Sequence, residues 1–146
     1  MFCGQTQIRV RYGETDKMGY CYYGNYPLYY EQARSDVFRE CGCSYAELEK
    51  NGFMMPVISL NINYKKPAFY DDLITVKVYV KQKPTVRMTF EYECFNQNGE
   101  LLNSGETVLC FVNKKTGKPS MPPDFFSGNH QQIFLMKKLW QKSRQK

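Results

Sequence analysis

From Pro56 onward the apolar residues fall on every second position. Ile58, Leu60, Ile62 and Tyr64 alternate with Ser59, Asn61 and Asn63. Ile74, Val76, Val78 and Val80 alternate with Thr75, Lys77, Tyr79 and Lys81. Val86, Met88, Phe90, Tyr92 and Cys94 alternate with Arg87, Thr89, Glu91 and Glu93. A period of two places each apolar set on one face of a strand. Asn98-Gly99 is the turn signal of a hairpin. The run from Thr107 to Val112 is nearly all apolar and reads as a central strand covered on both faces. Pro119, Pro122 and Pro123 end the regular structure.

The first third has a different rhythm. Ile8, Val10 and Tyr12 alternate with Arg9 and Arg11, which predicts a first strand. Tyr26, Tyr30, Ala33, Val37 and Cys41 then recur at helical spacing. Asn25 suits the helix N-cap, Pro27 is tolerated in the first turn, and Gly42 suits the C-terminal stop. Ser44-x-x-Glu47 predicts a short second helix ending near Asn51-Gly52. The order is strand, long helix, short helix, then four strands whose short connections favour antiparallel neighbours. This is an α+β domain, an antiparallel sheet of about five strands with one long helix.

One helix covers one face of such a sheet. Val76, Val78, Thr107, Leu109 and Phe111 offer more apolar surface than a helix of about sixteen residues shields, so a homodimer or homotetramer is expected.

Composition narrows the picture. With 146 residues the chain suits one domain. Its net charge of +6 is carried largely by the end, where residues 130–146 hold Lys137, Lys138, Lys142, Arg144 and Lys146 and no acid. The body is nearly neutral, so no nucleic-acid partner is expected. The division expected is a domain over residues 1–125 and a basic tail over 126–146. No stretch reaches the roughly 20 apolar residues of a membrane helix, so no membrane partner is expected. Met1 to Val10 lacks an apolar secretory core, so a cytoplasmic setting with reduced cysteines is expected.

Between strand and helix lies Arg11-Tyr-Gly-Glu-Thr-Asp16-Lys-Met-Gly-Tyr-Cys-Tyr-Tyr-Gly-Asn-Tyr26, where five tyrosines surround one aspartate. The single histidine, His130, lies in the tail, so a Ser–His or Cys–His system in the core is not expected. There is no nucleophile elbow and no phosphate-binding loop. Cys41-Gly42-Cys43 lacks metal-ligand spacing, so neither a metal nor a cofactor is expected. Chemistry must rest on carboxylates, tyrosines and backbone dipoles. Two readings of Asp16 fit. It caps a turn among core tyrosines, or it faces a carbonyl polarised by the free N–H groups of the helix start.

The stretch Tyr12-Gly13-Glu14-Thr15-Asp16-Lys17-Met18-Gly19, then Tyr22-Tyr23-Gly24-Asn25-Tyr26, then Tyr30-Glu31-x-x-Arg34, resembles the signature of hot-dog-fold acyl-CoA thioesterases of the 4-hydroxybenzoyl-CoA thioesterase family. Ile62-x-Tyr64-x-Lys66-Pro67-Ala68, with Asp71, Asp72 and Leu73, resembles the same family's second strand and turn. The likeness runs from about residue 5 to 125. It implies a hot-dog fold, a sheet wrapped around the long helix, and hydrolysis of an acyl-CoA thioester to free acid and CoA. It implies that Asp16 is the catalytic carboxylate, attacking the thioester carbonyl or activating water. It further implies that the backbone N–H of Tyr23 polarises that carbonyl. Glu31 matches an acidic helix position, where it orients water, holds the loop, or simply makes a surface pair with Arg34 or Ser35. Many relatives carry histidine where this chain has Tyr23; a backbone donor survives that change, an imidazole role does not. Lys65, Lys66 and Arg87, with Lys83, Lys114 and Lys115, are candidate cations for the CoA phosphates. The alternative is a non-catalytic acyl-CoA-binding or assembly module on the same fold.

Overall fold

The computed structural model describes residues 2–40 and 42–123. The basic tail and His130 lie outside the described residues, as does Cys41. Strand β1 is Phe2–Arg9, followed by 3-10 turns at Tyr12–Glu14 and Tyr23–Asn25. Helix α1 is Tyr26–Glu40 and α2 is Tyr45–Lys50. Then come β2, Phe53–Met54; β3, Val57–Tyr64; β4, Leu73–Val80; β5, Arg87–Phe95; β6, Leu101–Cys110; and β7, Val112–Asn113.

Five strands form one antiparallel sheet in the order β1-β4-β5-β6-β3, while β2 pairs with β7. Helix α1 lies across β1 and β4 on the inner face. Long helix and antiparallel sheet together make the α+β hot-dog arrangement. Consecutive strands are neighbours for β4-β5 and β5-β6, as short connections favour. The β3–β4 link is the exception, because β3 pairs with β6 at one edge while β4 pairs with β1.

The period-two reading holds best on β4 and β5. Ile74, Val76, Val78 and Val80 are all buried, as are Met88, Phe90, Tyr92 and Cys94. Full burial of each large side chain contributes about 1.5–3 kcal/mol. Two glycines let the layers meet. A Cβ on Gly4 would stand 2.6 Å from Val37 Cγ2 of α1. One on Gly105 would stand 2.5 Å from the Tyr30 ring and 2.8 Å from the Asn61 carbonyl oxygen. Tyr30 uses that space to stack on Tyr92 at 4.1 Å between centroids and to donate to Asn103 Oδ1 at 2.5 Å.

Four expectations need correction. The first strand ends at Arg9, and Tyr12 sits in a 3-10 turn with its ring 78% exposed. Val10 stays buried, its N–H held by the Asp72 carbonyl at 2.9 Å. Asn25 does not act as a side-chain N-cap acceptor: a 3-10 turn runs directly into α1, and the Asn25 amide donates elsewhere. On β3 the inward row Ile58, Leu60 and Tyr64 is about half exposed, because α1 lies over the other edge of the sheet. Finally, Val76, Val78, Thr107, Leu109 and Phe111 are all buried within the single chain. Within the five-stranded sheet, the large apolar side chains left exposed are Val57, Ile58, Leu60 and Tyr64 of β3.

The second helix follows its sequence closely. Ser44 Oγ accepts from the Glu47 N–H at 3.2 Å, and the end carries Asn51 followed by Gly52 at φ 87°. Gly42 has φ 73°, the left-handed conformation that ends a helix cheaply only at glycine. Among the described residues no helix is long and apolar enough to cross a membrane.

Candidate active site

Asp16 sits in a tight turn that its own backbone closes. Its N–H donates to the Tyr20 carbonyl at 2.9 Å, and its carbonyl accepts from Gly19 at 3.0 Å. Gly19 supplies the positive φ of 84° that this turn requires. The carboxylate is held asymmetrically. Oδ1 accepts from the Met18 N–H at 2.8 Å, an Asx turn. Oδ2 is shut off from solvent and has no hydrogen-bond partner. The turn-capping reading therefore accounts for one oxygen and leaves the other without a structural use.

Asp16 lines a pocket of about 340 Å³ together with Tyr20, Cys21, Tyr23, Tyr26 and Tyr64, with Lys65 and Lys66 also on its wall. Tyr23 opens the 3-10 turn that feeds α1, after Tyr22 at an extended φ of −60° and ψ of 131°. A residue in that position has an N–H without a partner inside the turn. Tyr64 reaches over from β3 and donates its hydroxyl to the Tyr23 carbonyl at 2.9 Å. Its ring meets those of Tyr23 and Tyr26 edge-on at 6.2 and 5.7 Å. Gly24 admits the neighbouring Tyr22 ring, which would stand 2.6 Å from a Cβ there.

Three weak acids of the pocket are pushed away from ionisation. Burial pushes the Tyr26 and Tyr64 phenols and the Cys21 thiol above their ordinary values. Behind the wall, burial and the bond to Cys21 likewise raise Tyr29. Asp16 is the carboxylate on this lining. Among the described residues no group of three or more His, Cys, Asp or Glu side chains could hold a metal ion.

Of the residues named from sequence, Asp16, Tyr23, Lys65 and Lys66 come together at this pocket. Lys66 is partnered by Glu100 in a short ion pair, so part of its charge is already answered. Glu31 and Arg87 do not line it. Glu31 stands 4.0 Å from Arg34 across one helical turn, with its side chain 60% exposed. Arg34 itself is buried against the Tyr45 and Tyr92 hydroxyls. Arg87 pairs with Cys110, at the far end of the sheet from Leu102, where the backbones of Lys65 and Lys66 are anchored. Sequence reasoning missed the Met18 N–H and the Tyr64 hydroxyl as parts of the site. Tyr64 lay inside a motif already recognised, so its place beside the lysines was a usable signal.

A larger concavity of about 660 Å³ lies on the outer sheet face, lined by Asn61, Lys81, Glu91, Glu93, Ser104 and Glu106 among others. Glu91 and Glu106 stand directly opposite each other across β5 and β6. That face repels phosphates and has no helix start beside it. Its size notwithstanding, the Asp16 pocket is the better candidate.

A carboxylate and the turn that starts α1 thus share one aromatic pocket. The model of the thioesterase-like superfamily matches residues 10–129, and the chain belongs to that superfamily. YneP of Bacillus subtilis is 33% identical over 119 residues, which cover 82% of this chain and 86% of YneP. The acyl-CoA thioester hydrolase YbgC of Escherichia coli O157:H7 is 27% identical over 116 residues, 80% of this chain and 87% of that protein. The crystal structure of the DHNA-CoA thioesterase from Staphylococcus aureus superposes with a TM-score of 0.84 at 39% identity, over 98% of this chain and 96% of that one.

Proposed function

We propose that the protein hydrolyses an acyl-CoA thioester to the free acid and CoA at the Asp16 pocket. The observation that carries this reading is the Asp16 carboxylate itself: one oxygen is fixed by the Met18 N–H, while the other is desolvated and unpaired. A carboxylate oxygen without a partner is costly to bury, and such costs concentrate at functional sites.

The thioester carbonyl oxygen would accept from the Tyr23 N–H at the positive end of α1, which stabilises the oxyanion as it forms. Asp16 acts in one of two ways. As a base it takes a proton from water while the oxygen of that water bonds to the carbonyl carbon. As a nucleophile it forms a mixed anhydride that water then opens. In both routes the C–S bond breaks, its electron pair leaves with the CoA sulfur, and a proton restores the thiol. Lys65, on the pocket wall, would answer a CoA phosphate. Glu31 serves the helix by pairing with Arg34. Arg87 can contribute only to a pocket on a neighbouring subunit.

The lining by Tyr20, Tyr23, Tyr26 and Tyr64 suits a flat aromatic acyl group, which would stack or meet the rings edge-on. The likeness to a DHNA-CoA thioesterase supports the same class. The test is Asp16→Asn assayed for free thiol on a panel of aromatic and aliphatic acyl-CoAs. The near-isosteric change should keep the fold and lower kcat by about a hundred-fold or more, the scale of losing a general base. A variant that turns over like the parent would leave Asp16 as a turn residue only. Binding of acyl-CoA by the parent without thiol release would favour the non-catalytic module instead.

A further inference from the structure

We infer that Asn25 is a positioning residue that holds the Asp16 turn against the helix start; the inference rests on the hydrolytic reading above. The Asn25 side chain is spent on the loop and not on the helix. Its Nδ2 donates to the Glu14 carbonyl at 2.7 Å and lies 3.9 Å from Cys21 Sγ. The same Glu14 carbonyl accepts from the Tyr22 N–H at 2.8 Å, so both of its lone pairs are engaged.

The consequence lies in what hangs on each side of this junction. On one side, Thr15 bridges to Cys21 and Asp16 is locked to Tyr20, so the carboxylate sits two residues beyond Glu14 in a closed turn. On the other side, Asn25 is the last residue of the 3-10 turn that Tyr23 opens. One amide therefore joins the segment carrying the carboxylate to the segment carrying the N–H donor. The Tyr22 N–H bond alone sets how close the two segments lie. A second donor to the same oxygen, from three residues further on, also sets the angle between them. The distance from Asp16 to a carbonyl bound at Tyr23 depends on that angle, and small misplacements of reacting groups are expensive in rate.

The sequence motif is explained by this use. An asparagine at a helix start normally accepts from the following N–H groups. Here the turn supplies its own start through the Tyr22 carbonyl, which accepts from the Asn25 N–H at 3.0 Å, and the side chain is released for the loop.

The test is steady-state kinetics of Asn25→Ala and Asn25→Ser by thiol release, beside Asp16→Asn and a control. The control is Asn51→Ala, because Asn51 Nδ2 makes the same kind of bond, to the Glu47 carbonyl at 2.7 Å, at the end of α2. It removes a like interaction away from the pocket. The expected result is a fall in kcat of about ten-fold in both Asn25 variants, the scale of one hydrogen bond, with KM within about two-fold. Asn51→Ala should lose a similar amount of thermal stability and keep its kcat. Serine keeps a shorter polar side chain at this position and covers the case in which the alanine variant does not fold. Parental kcat in a folded Asn25 variant overturns the assignment. So does an equal fall of kcat in Asn51→Ala, and so does failure of both Asn25 variants to fold, which would make the residue one of stability. If Asp16→Asn turns over normally, the hydrolytic reading falls. If Asp16→Asn is inactive while the Asn25 variants are normal, only this inference falls.

Discussion

Tyr64 of β3 donates its hydroxyl to the carbonyl oxygen of Tyr23 at 2.9 Å, tying the sheet edge to the start of α1. The bond matters because both elements line the pocket. Tyr23 is 60% exposed and Tyr64 48% exposed, so the bond lies at the surface of the pocket. Tyr64→Phe removes the hydroxyl and leaves both ring contacts. We expect a loss of about 1 kcal/mol of transition-state stabilisation, or about five-fold in kcat/KM, with little change in Tm. Thiol-release kinetics and a thermal melt check both halves. An unchanged kcat/KM would make the bond incidental to the site.

Glu14 is expected to make the stability of the fold depend on pH. Burial raises its carboxyl pKa, but hydrogen bonds from the Arg11 guanidinium and N–H and from Tyr29 outweigh this, so the folded value lies below the ordinary one. The ion pair with Arg11 is 3.1 Å long. A depressed folded value adds stability at pH above the unfolded value, and this is lost as pH falls through the folded value. The Tm difference between the parent and Glu14→Gln should therefore be largest at neutral pH and shrink as the pH falls below the ordinary Glu value of about 4.3. A difference that grows on acidification has the wrong sign and would remove Glu14 as the source.

Gly105 is expected to tolerate no side chain. Two of the atoms a Cβ would meet belong to the Tyr30 ring, pinned by its stack on Tyr92 and its bond to Asn103, and the third is the Asn61 carbonyl oxygen in the paired strand. None can yield without breaking a hydrogen bond or the stack. Gly105→Ala should cost about 1–3 kcal/mol in urea unfolding, the usual range for overpacking. A neutral result would show that Tyr30 moves freely, against the packing described here.

How far these features were legible differs by element, for physical reasons. On β4 and β5 the apolar period predicted burial because α1 and the neighbouring strands cover those residues. On β3 the same period predicted a buried row, and Ile58, Leu60 and Tyr64 are half exposed. Periodicity tells which face is apolar, not what lies on it. Asn25 was legible as a helix-start residue, but its partner, Glu14, is set by the path of the loop. Asp16 stood out through its tyrosine neighbours and through the resemblance; the unpaired Oδ2 is a fact of three-dimensional packing. Arg87 shows the opposite limit, since a basic residue at a strand end carries no record of which end of the sheet it occupies.

The last prediction concerns that uncovered edge. Strand β3 pairs with β6 on one side only, so its other side presents unpaired backbone groups. Val57, Ile58, Leu60 and Tyr64 are each 45–48% exposed along it. An apolar edge of this kind favours association, and a two-fold axis lets the same strand meet its own copy. The outer sheet face, with Glu91, Glu93 and Glu106, is the less suited surface because like charges would face each other. We therefore expect a dimer built on β3, with Tyr64 and the Asp16 pocket at or beside the contact. Ile58→Glu with Leu60→Lys should shift the species seen by light scattering toward monomer and lower thiol release in parallel, because Tyr64 leads from this edge to Tyr23. If the double variant is a monomer with parental kcat and KM, each chain carries a complete site. If it stays associated, the contact lies on another face.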